Sequence, residues 1–256
     1  MNKISKNSIT KNKLWSLLLR INQSLLTNTK QDTITIDENF LGANICFSYD
    51  RRKDLLFDIN FQNDDLAQLL KIFLPIILCK QKNYIFGHLA QSLDGYIATQ
   101  SGESKYISGK QNLEHIHRLR AISDIIIVGA KTFIEDKPKL TTRLVKGSNP
   151  DIYIFDPKKT INNKNMKIFH NKKDLISVIN KQKNLKIYVE GGGKTISYFL
   201  KYNLLNRLHL CVCPIILGGG RASIYQDKNI KLSSIKEYQT SYYKMGSDLL
   251  CDLKIK

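Results

Sequence analysis

The stretch Val189–Thr195, VEGGGKT, follows the apolar run LKIY (185–188), and its reading decides how the chain is built. It ends in G-K-T, as a phosphate-binding P-loop does, and it holds three adjacent glycines, as a dinucleotide-binding turn does. A P-loop needs G-x-x-x-x-G-K-[ST], which puts its first glycine at position 188, where this chain has Tyr188. The fingerprint G-x-G-x-x-G fits at Gly191 and Gly193 but meets Ile196 at its third glycine. Both motifs therefore fail. The physics of the stretch remains: a buried strand ends in Glu190, glycines let a ligand approach the backbone, and a helix follows. Free N–H groups and the dipole at that helix start favour an anion such as a pyrophosphate.

Working outward, strands alternate with helices from Tyr84 onward. YIFGHLAQS reads as a strand, Asp94-Gly95 as a turn and YIAT as a returning strand. Ser108 and Gln111 form a capping box that should open a helix running to about Ala121. DIIIVGA, DIYIFD, MKIFH and LKIYVE read as strands, with a helix over 173–181 between the last two. A helix over 193–202, the long strand RLHLCVCPIIL and a final hairpin turning near Met245-Gly246 complete the pattern. Such alternation implies an α/β fold with a central sheet covered on both faces, mostly parallel but mixed because of the hairpin.

Residues 1–83 read differently. Leu14, Leu17, Leu18, Ile21 and Leu25 fall at helical spacing, Ala43–Tyr49 and Leu55–Phe61 are β-rich, and Asn63 caps a helix carrying Leu66, Leu69, Leu70 and Phe73. The expectation is a small α/β extension over 1–83, serving packing or dimerisation, and a larger domain over 84–256.

The 256 residues, 42% apolar, suffice for a sizeable core. The longest apolar run, Ile72–Cys79, is interrupted by Pro75 and is too short to cross a bilayer. The basic N-terminus lacks a small-residue cleavage site, so a signal peptide is not expected. Five cysteines without framework spacing read as reduced thiols in a cytoplasmic protein. Of the net charge of +18, +14 lies after Asn83, and the lysines are scattered without interleaved aromatics. That arrangement favours attraction of anionic small molecules over a nucleic-acid platform. His115 and His117, two apart on a helix, point to different faces and do not suggest a shared metal; Cys211 and Cys213 share one strand face as core residues.

The segments AQSLDGYIAT (90–99), GESKYISG (102–109), HRLRAISDIIIVGAKTFIEDKPKLTTR (117–143) and PIILGGGRA (214–222), with VEGGGKT, resemble in order and spacing the pyrimidine reductase domain of riboflavin biosynthesis. That resemblance implies a dihydrofolate-reductase-like fold, NADPH as cofactor and a phosphorylated ribosylamino-pyrimidine as substrate, reduced to its ribitylamino form. It also implies a homodimer. The zinc deaminase that often precedes this reductase has no H-x-E…P-C-x-x-C counterpart here, which suggests a stand-alone form. Carried over by position, Ala90, Tyr106, Thr132, Asp136 and the loop Gly191, Gly192, Gly193, Lys194 and Thr195 would contact the cofactor. Ser104, Arg120, Leu140, Arg143 and Glu190 would bind substrate. Arg120 and Arg143 are suited to phosphate oxygens, and Glu190 to ribose hydroxyls or the amino nitrogen. Glu190 and Asp94 are candidates for the general acid, Asp94 being equally suited to fixing its turn. Lys131, Lys158 and Lys159 are basic neighbours for a 2′-phosphate, and Pro157 replaces a small polar cofactor contact. Two further readings stay open: a paralogous reductase of a related pyrimidine or pterin, and a basic nucleic-acid-binding protein on a reductase scaffold.

Overall fold

The computed structural model describes residues 9–24, 29–104, 107–181, 184–225, 231, 233 and 235–256. The chain divides into two compact units, Met1–Gln81 and Lys82–Lys256.

In the first unit, helix α1 (Lys11–Gln23) precedes an antiparallel sheet of β1 (Thr33–Phe40), β2 (Ala43–Asp50) and β3 (Leu55–Phe57), and α2 (Asp64–Ile77) follows. Asn63 caps α2 as expected, its side chain accepting from Leu66 N–H. The apolar stripes of α1 and α2 meet at Trp15 and Phe73, whose rings pack edge-on at 5.2 Å. Buried Arg51 ties the unit together by donating to the carbonyls of Thr29, Gln31, Leu78 and Cys79. Strand β1, with its alternation of exposed threonines and buried Ile34 and Ile36, was not foreseen. The expected helical position Leu25 lies outside the described residues.

The second unit is built on an eight-stranded sheet. Its strands are β4 (Asn83–Ser92), β6 (Ile125–Gly129), β7 (Asp151–Phe155), β8 (Lys167–Phe169), β9 (Leu185–Val189), β10 (Arg207–Cys213), β12 (Gln239–Met245) and β13 (Asp248–Lys254). They run in the order β12-β13-β10-β4-β9-β6-β7-β8. Strands β10 through β8 in that order are parallel, and the β12–β13 hairpin joins antiparallel at the β10 edge. A small ribbon pairs β5 (Tyr96–Ala98) with β11 (Arg221–Ala222). Helices α3 (Lys110–Ala121), α4 (Ala130–Glu135), α5 (Lys172–Asn180) and α6 (Gly193–Lys201) supply the crossovers. The mixed, mostly parallel α/β sheet is the expected one. Helix α4 was not foreseen, because its six residues are too few to show a period.

The two faces of the sheet differ in chemistry. Ile85, Leu89, Ile127, Ile187, Val189 and Leu208 pack with Leu175 and Ile179 of α5 and Ile196 and Phe199 of α6 in an apolar core. The residues between them on the strands face α3 and include His88, Glu190 and His209. There Asn112 meets His88, His115 meets His209, and Arg120 meets Glu190. Asp252 lies 3.3 Å from both His209 and Arg207. Buried polar groups are tolerated only when paired, so this layer specifies geometry more than it adds stability. The start of α3 belongs to the same layer. Its cap is Gly109, without a side-chain cap bond, and not the Ser108–Gln111 box. The Gly109 N–H instead donates to Asp248 Oδ2 at 2.8 Å, a contact 139 residues away in sequence.

Burial holds His88 and His115 neutral. His88 is pushed down to about 3 by desolvation and then by His209, against the bond from Asn112. His115 is lowered well below its usual value by the same two causes. An unfolded chain binds these protons below about pH 6.5 and the folded chain does not, so stability is lost as pH falls. Denaturant titrations should show a loss of about 2 kcal/mol at pH 5 relative to pH 7 from His88 alone, with His115 adding in the same direction. An unchanged midpoint between those pH values would contradict neutral burial.

Candidate active site

A cavity of about 730 Å³ opens at the carboxyl ends of the parallel strands, where open α/β sheets present their ligand sites. Its wall is assembled from the end of β4 (His88, Ala90), the β6–α4 junction (Gly129 to Asp136) and the end of β7 (Phe155 to Lys158). The β9–α6 loop (Glu190 to Thr195) and the segment Arg221–Tyr225 close it. Ala90, Ser104, Thr132, Asp136, Glu190, Gly191, Gly192, Gly193, Lys194 and Thr195 are thus brought together as the sequence implied. Tyr106 lies outside the described residues.

The glycine loop is more divided in purpose than its sequence suggests. A Cβ at Gly193 would meet the carbonyl oxygens of Ala222 and Ser223 at 2.3 and 2.5 Å. One at Gly191 would press on Thr195 from 2.9 Å. These two glycines make room for protein, and Gly192, nearest to Thr132 Oγ1 at 3.5 Å, is the one with space above it. No side chain caps the N-terminus of α6 and no acidic residue lies in its first turn. Its uncapped N–H groups and positive dipole end suit an anion. Ser197 holds the closing segment: its hydroxyl donates to Gly193 O and accepts from Tyr225 N–H.

Glu190 stands where β9 ends, its N–H donating to Ile127 O at 2.9 Å. Its carboxylate accepts both edges of Arg120: Nε bonds Oε2 at 2.7 Å, and Nη2 bonds Oε1. Arg120 Nη1 donates to Thr141 O at 2.9 Å. Burial works against the charge on Arg120, but Glu190 more than offsets it and the guanidinium is held protonated. Arg120 does not line the cavity. The expectation of a phosphate-binding Arg120 is corrected on this geometry: it holds Glu190 and the 140s loop in place.

That loop carries the other two expected substrate positions, and neither lines the cavity. Leu140 is buried with φ +48, a left-handed conformation costly for a branched side chain. Arg143 is exposed, and its N–H donates to His117 Nδ1 at 3.0 Å. Asp94 is also outside the cavity. Its carboxylate accepts from the N–H groups of Leu217 and Gly218, and its pKa is lowered, first by the hydrogen bond with Ser92, against desolvation, with those amides adding in the same direction as Ser92. Asp94 fixes a turn, and its candidacy as general acid is withdrawn. Asp136 moves oppositely: burial and then neighbouring Glu135 raise its pKa, against Arg221 and Lys131.

Lys131, Lys158 and Lys194 bring positive charge to the cavity, whereas Lys159 does not line it. Pro157 is a cavity residue. Sequence reasoning missed His88, Arg221 and Tyr225. Arg221 lay inside a quoted motif; its guanidinium packs over Gly102, which has φ +96, and approaches Glu135 at 3.5 Å. No local signal marked Tyr225, which arrives through a fold-back onto Ser197.

The RibD C-terminal domain family matches residues 83–250. The riboflavin biosynthesis protein RibD of Aquifex aeolicus is 28% identical over 255 residues, covering 86% of this chain and 71% of that protein. The 2,5-diamino-6-ribosylamino-4(3H)-pyrimidinone 5′-phosphate reductase of Methanothermobacter thermautotrophicus is 25% identical over 213 residues, covering 68% of this chain and 98% of that protein. Among solved structures, Acinetobacter baumannii RibD superposes with a TM-score of 0.60 at 21% identity, covering 75% of this chain and 63% of that one. The chain thus spans under two thirds of that bacterial protein, and the shared fold is the dihydrofolate-reductase-like one. With a match over most of its length, from the first strand of the large sheet into its last, the chain belongs to the RibD C-terminal domain family.

Proposed function

We propose that this protein is an NADPH-dependent reductase that converts a ribosylamino-pyrimidine 5′-phosphate to its ribitylamino form in riboflavin biosynthesis. The observation that carries the reading is the joint use of one loop: Glu190 faces the cavity beside an uncapped helix start, in a chain of this family. The residues present fit a dinucleotide. Gly192 leaves space, the first turn of α6 lacks an acidic residue, and Lys131 and Lys158 supply charge for a 2′-phosphate. The same reading places the chain in the cytoplasm, supported by five free cysteines. It includes a homodimer, for which the exposed Tyr242 and Leu249 on the terminal hairpin offer apolar surface, and excludes nucleic acid as the main partner.

When bound, the cofactor supplies the hydride for the ring-opened sugar carbon. The protein's part is orientation, which accounts for most of the acceleration in such reactions. Glu190 accepts from hydroxyls or the amino nitrogen of the sugar, and Arg120 keeps it from swinging away. Ala90, Thr132 and the α6 start hold the dinucleotide across the strand ends.

The purified chain should oxidise NADPH when given 5-amino-6-(5-phosphoribosylamino)uracil, measured as loss of reduced-nicotinamide absorbance. NADPH binding without oxidation would refute the substrate. Lys158→Ala should lower kcat/KM for NADPH about tenfold while leaving NADH use unchanged, about 1.4 kcal/mol of a phosphate-specific contact. An equal loss for both cofactors would reject the 2′-phosphate assignment. Gly193→Ala should weaken NADPH binding at least tenfold, measured by fluorescence titration, because the new methyl displaces the Ala222–Ser223 backbone. Unaltered affinity would show that this close approach does not shape the site.

A further inference from the structure

His88 is a residue that the reaction as described above does not use. It sits in the carboxyl-terminal half of β4, is 4% exposed and lines the cavity. The β4–β9 register sets Phe86 opposite Tyr188 and Gly87 opposite Val189, so His88 and Glu190 follow as neighbours on adjoining strands. Both line the same cavity. Behind His88, Asn112 of α3 is fully buried, and its Oδ1 lies 2.9 Å from His88 Nε2. A carbonyl oxygen only accepts, so Nε2 carries the ring proton and Nδ1 keeps its lone pair. Among the described residues Nδ1 has no hydrogen-bond partner, and His88 is one of the residues lining the cavity.

The surroundings fix this arrangement. Asp252 Oδ1 lies 3.3 Å from His209 Nε2, and His209 Nδ1 lies 3.0 Å from His115 Nε2. The His115 ring lies 5.4 Å from that of His88 and confines it against Asn112. A second proton on His88 would be placed in a buried layer that already holds Arg207 and two more histidines. Burial and His209 keep that ring neutral across the physiological range.

We propose that His88, held as its Nε2–H tautomer by Asn112, is a further substrate-binding residue. Its Nδ1 accepts a hydrogen bond from a hydroxyl or amino N–H of the substrate's sugar-amine portion, beside Glu190. The proposal rests on the reductase reading above. Two acceptors set side by side at the end of the sheet select a ligand with adjacent donors, which a ribosylamine provides. Asn112 is a positioning residue: it touches no ligand and acts by choosing the tautomer.

The test uses the full chain labelled with ¹⁵N at histidine and follows the His88 ring nitrogens by long-range proton–nitrogen correlation. Nδ1 should resonate as an unprotonated nitrogen from about pH 8 to pH 5. It should shift when the phosphoribosylamino-pyrimidine is added and stay put with NADPH alone. His88→Phe should raise KM for the pyrimidine about ten- to a hundredfold with NADPH affinity unchanged, the expected loss of one buried acceptor. His88→Gln, which retains an acceptor oxygen, should recover part of that loss, and Asn112→Leu should fall between. A protonated Nδ1, a shift caused by NADPH alone, or an unaltered KM in His88→Phe overturns the proposal. Failure of the unmodified chain to oxidise NADPH would refute the reductase reading. A response of Nδ1 to the pyrimidine would even then support the role of His88, and no response would refute it.

Discussion

The site depends on one ion pair, buried at Arg120 and half-buried at Glu190. Arg120 reaches from the last turn of α3 to clasp Glu190 through two bonds and takes Thr141 O with a third. Three separate pieces of chain, α3, the end of β9 and the 140s loop, are thereby fixed to each other. Removing one partner of such a pair strands a buried charge, at a cost of about 3–5 kcal/mol, whereas the intact pair adds little net stability. Its value is geometric. Glu190 is presented to the cavity at a set angle, and the loop carrying strained Leu140 is anchored at the next residue.

The pair belongs to a larger division of labour between the faces of the sheet. Under α5 and α6 the strands bury aliphatic side chains, which supply the hydrophobic stabilisation. Under α3 the same strands bury His88, His209, Arg207 and Asp252, and β9 leads into half-buried Glu190. The second face fixes tautomers, charge states and directions. The cavity opens where the two meet, so one side of it is shaped by packing and the other by hydrogen bonds.

Much of this was legible in the residues. Strand periodicity gave β4, β6, β9 and β10 because buried parallel strands are continuous apolar runs, and ordered motifs brought ten expected site positions to one cavity. What escaped has physical causes. The Ser108–Gln111 box looked like a helix start, but Asp248, far along the chain, supplies the acceptor that caps Gly109. Arg120 read as a phosphate ligand because its residue type suits phosphate equally well as carboxylate, and only the fold sets Glu190 against it. Asp94 carried two readings, and the amides of Leu217 and Gly218 select the turn. His88 was passed over because its partner Asn112 and its neighbour Glu190 are distant in sequence.

In the proposed reductase, Arg120 acts on substrate only through Glu190 while the rest of the same loop serves the cofactor. Substrate KM and NADPH affinity measured in Arg120→Met, Glu190→Gln and the double variant test it most directly. Both single variants should lose substrate affinity to a similar extent, the double variant should be no worse, and NADPH affinity should stay constant throughout. Losses that simply add in the double variant, or NADPH affinity falling in step with substrate affinity, would contradict it.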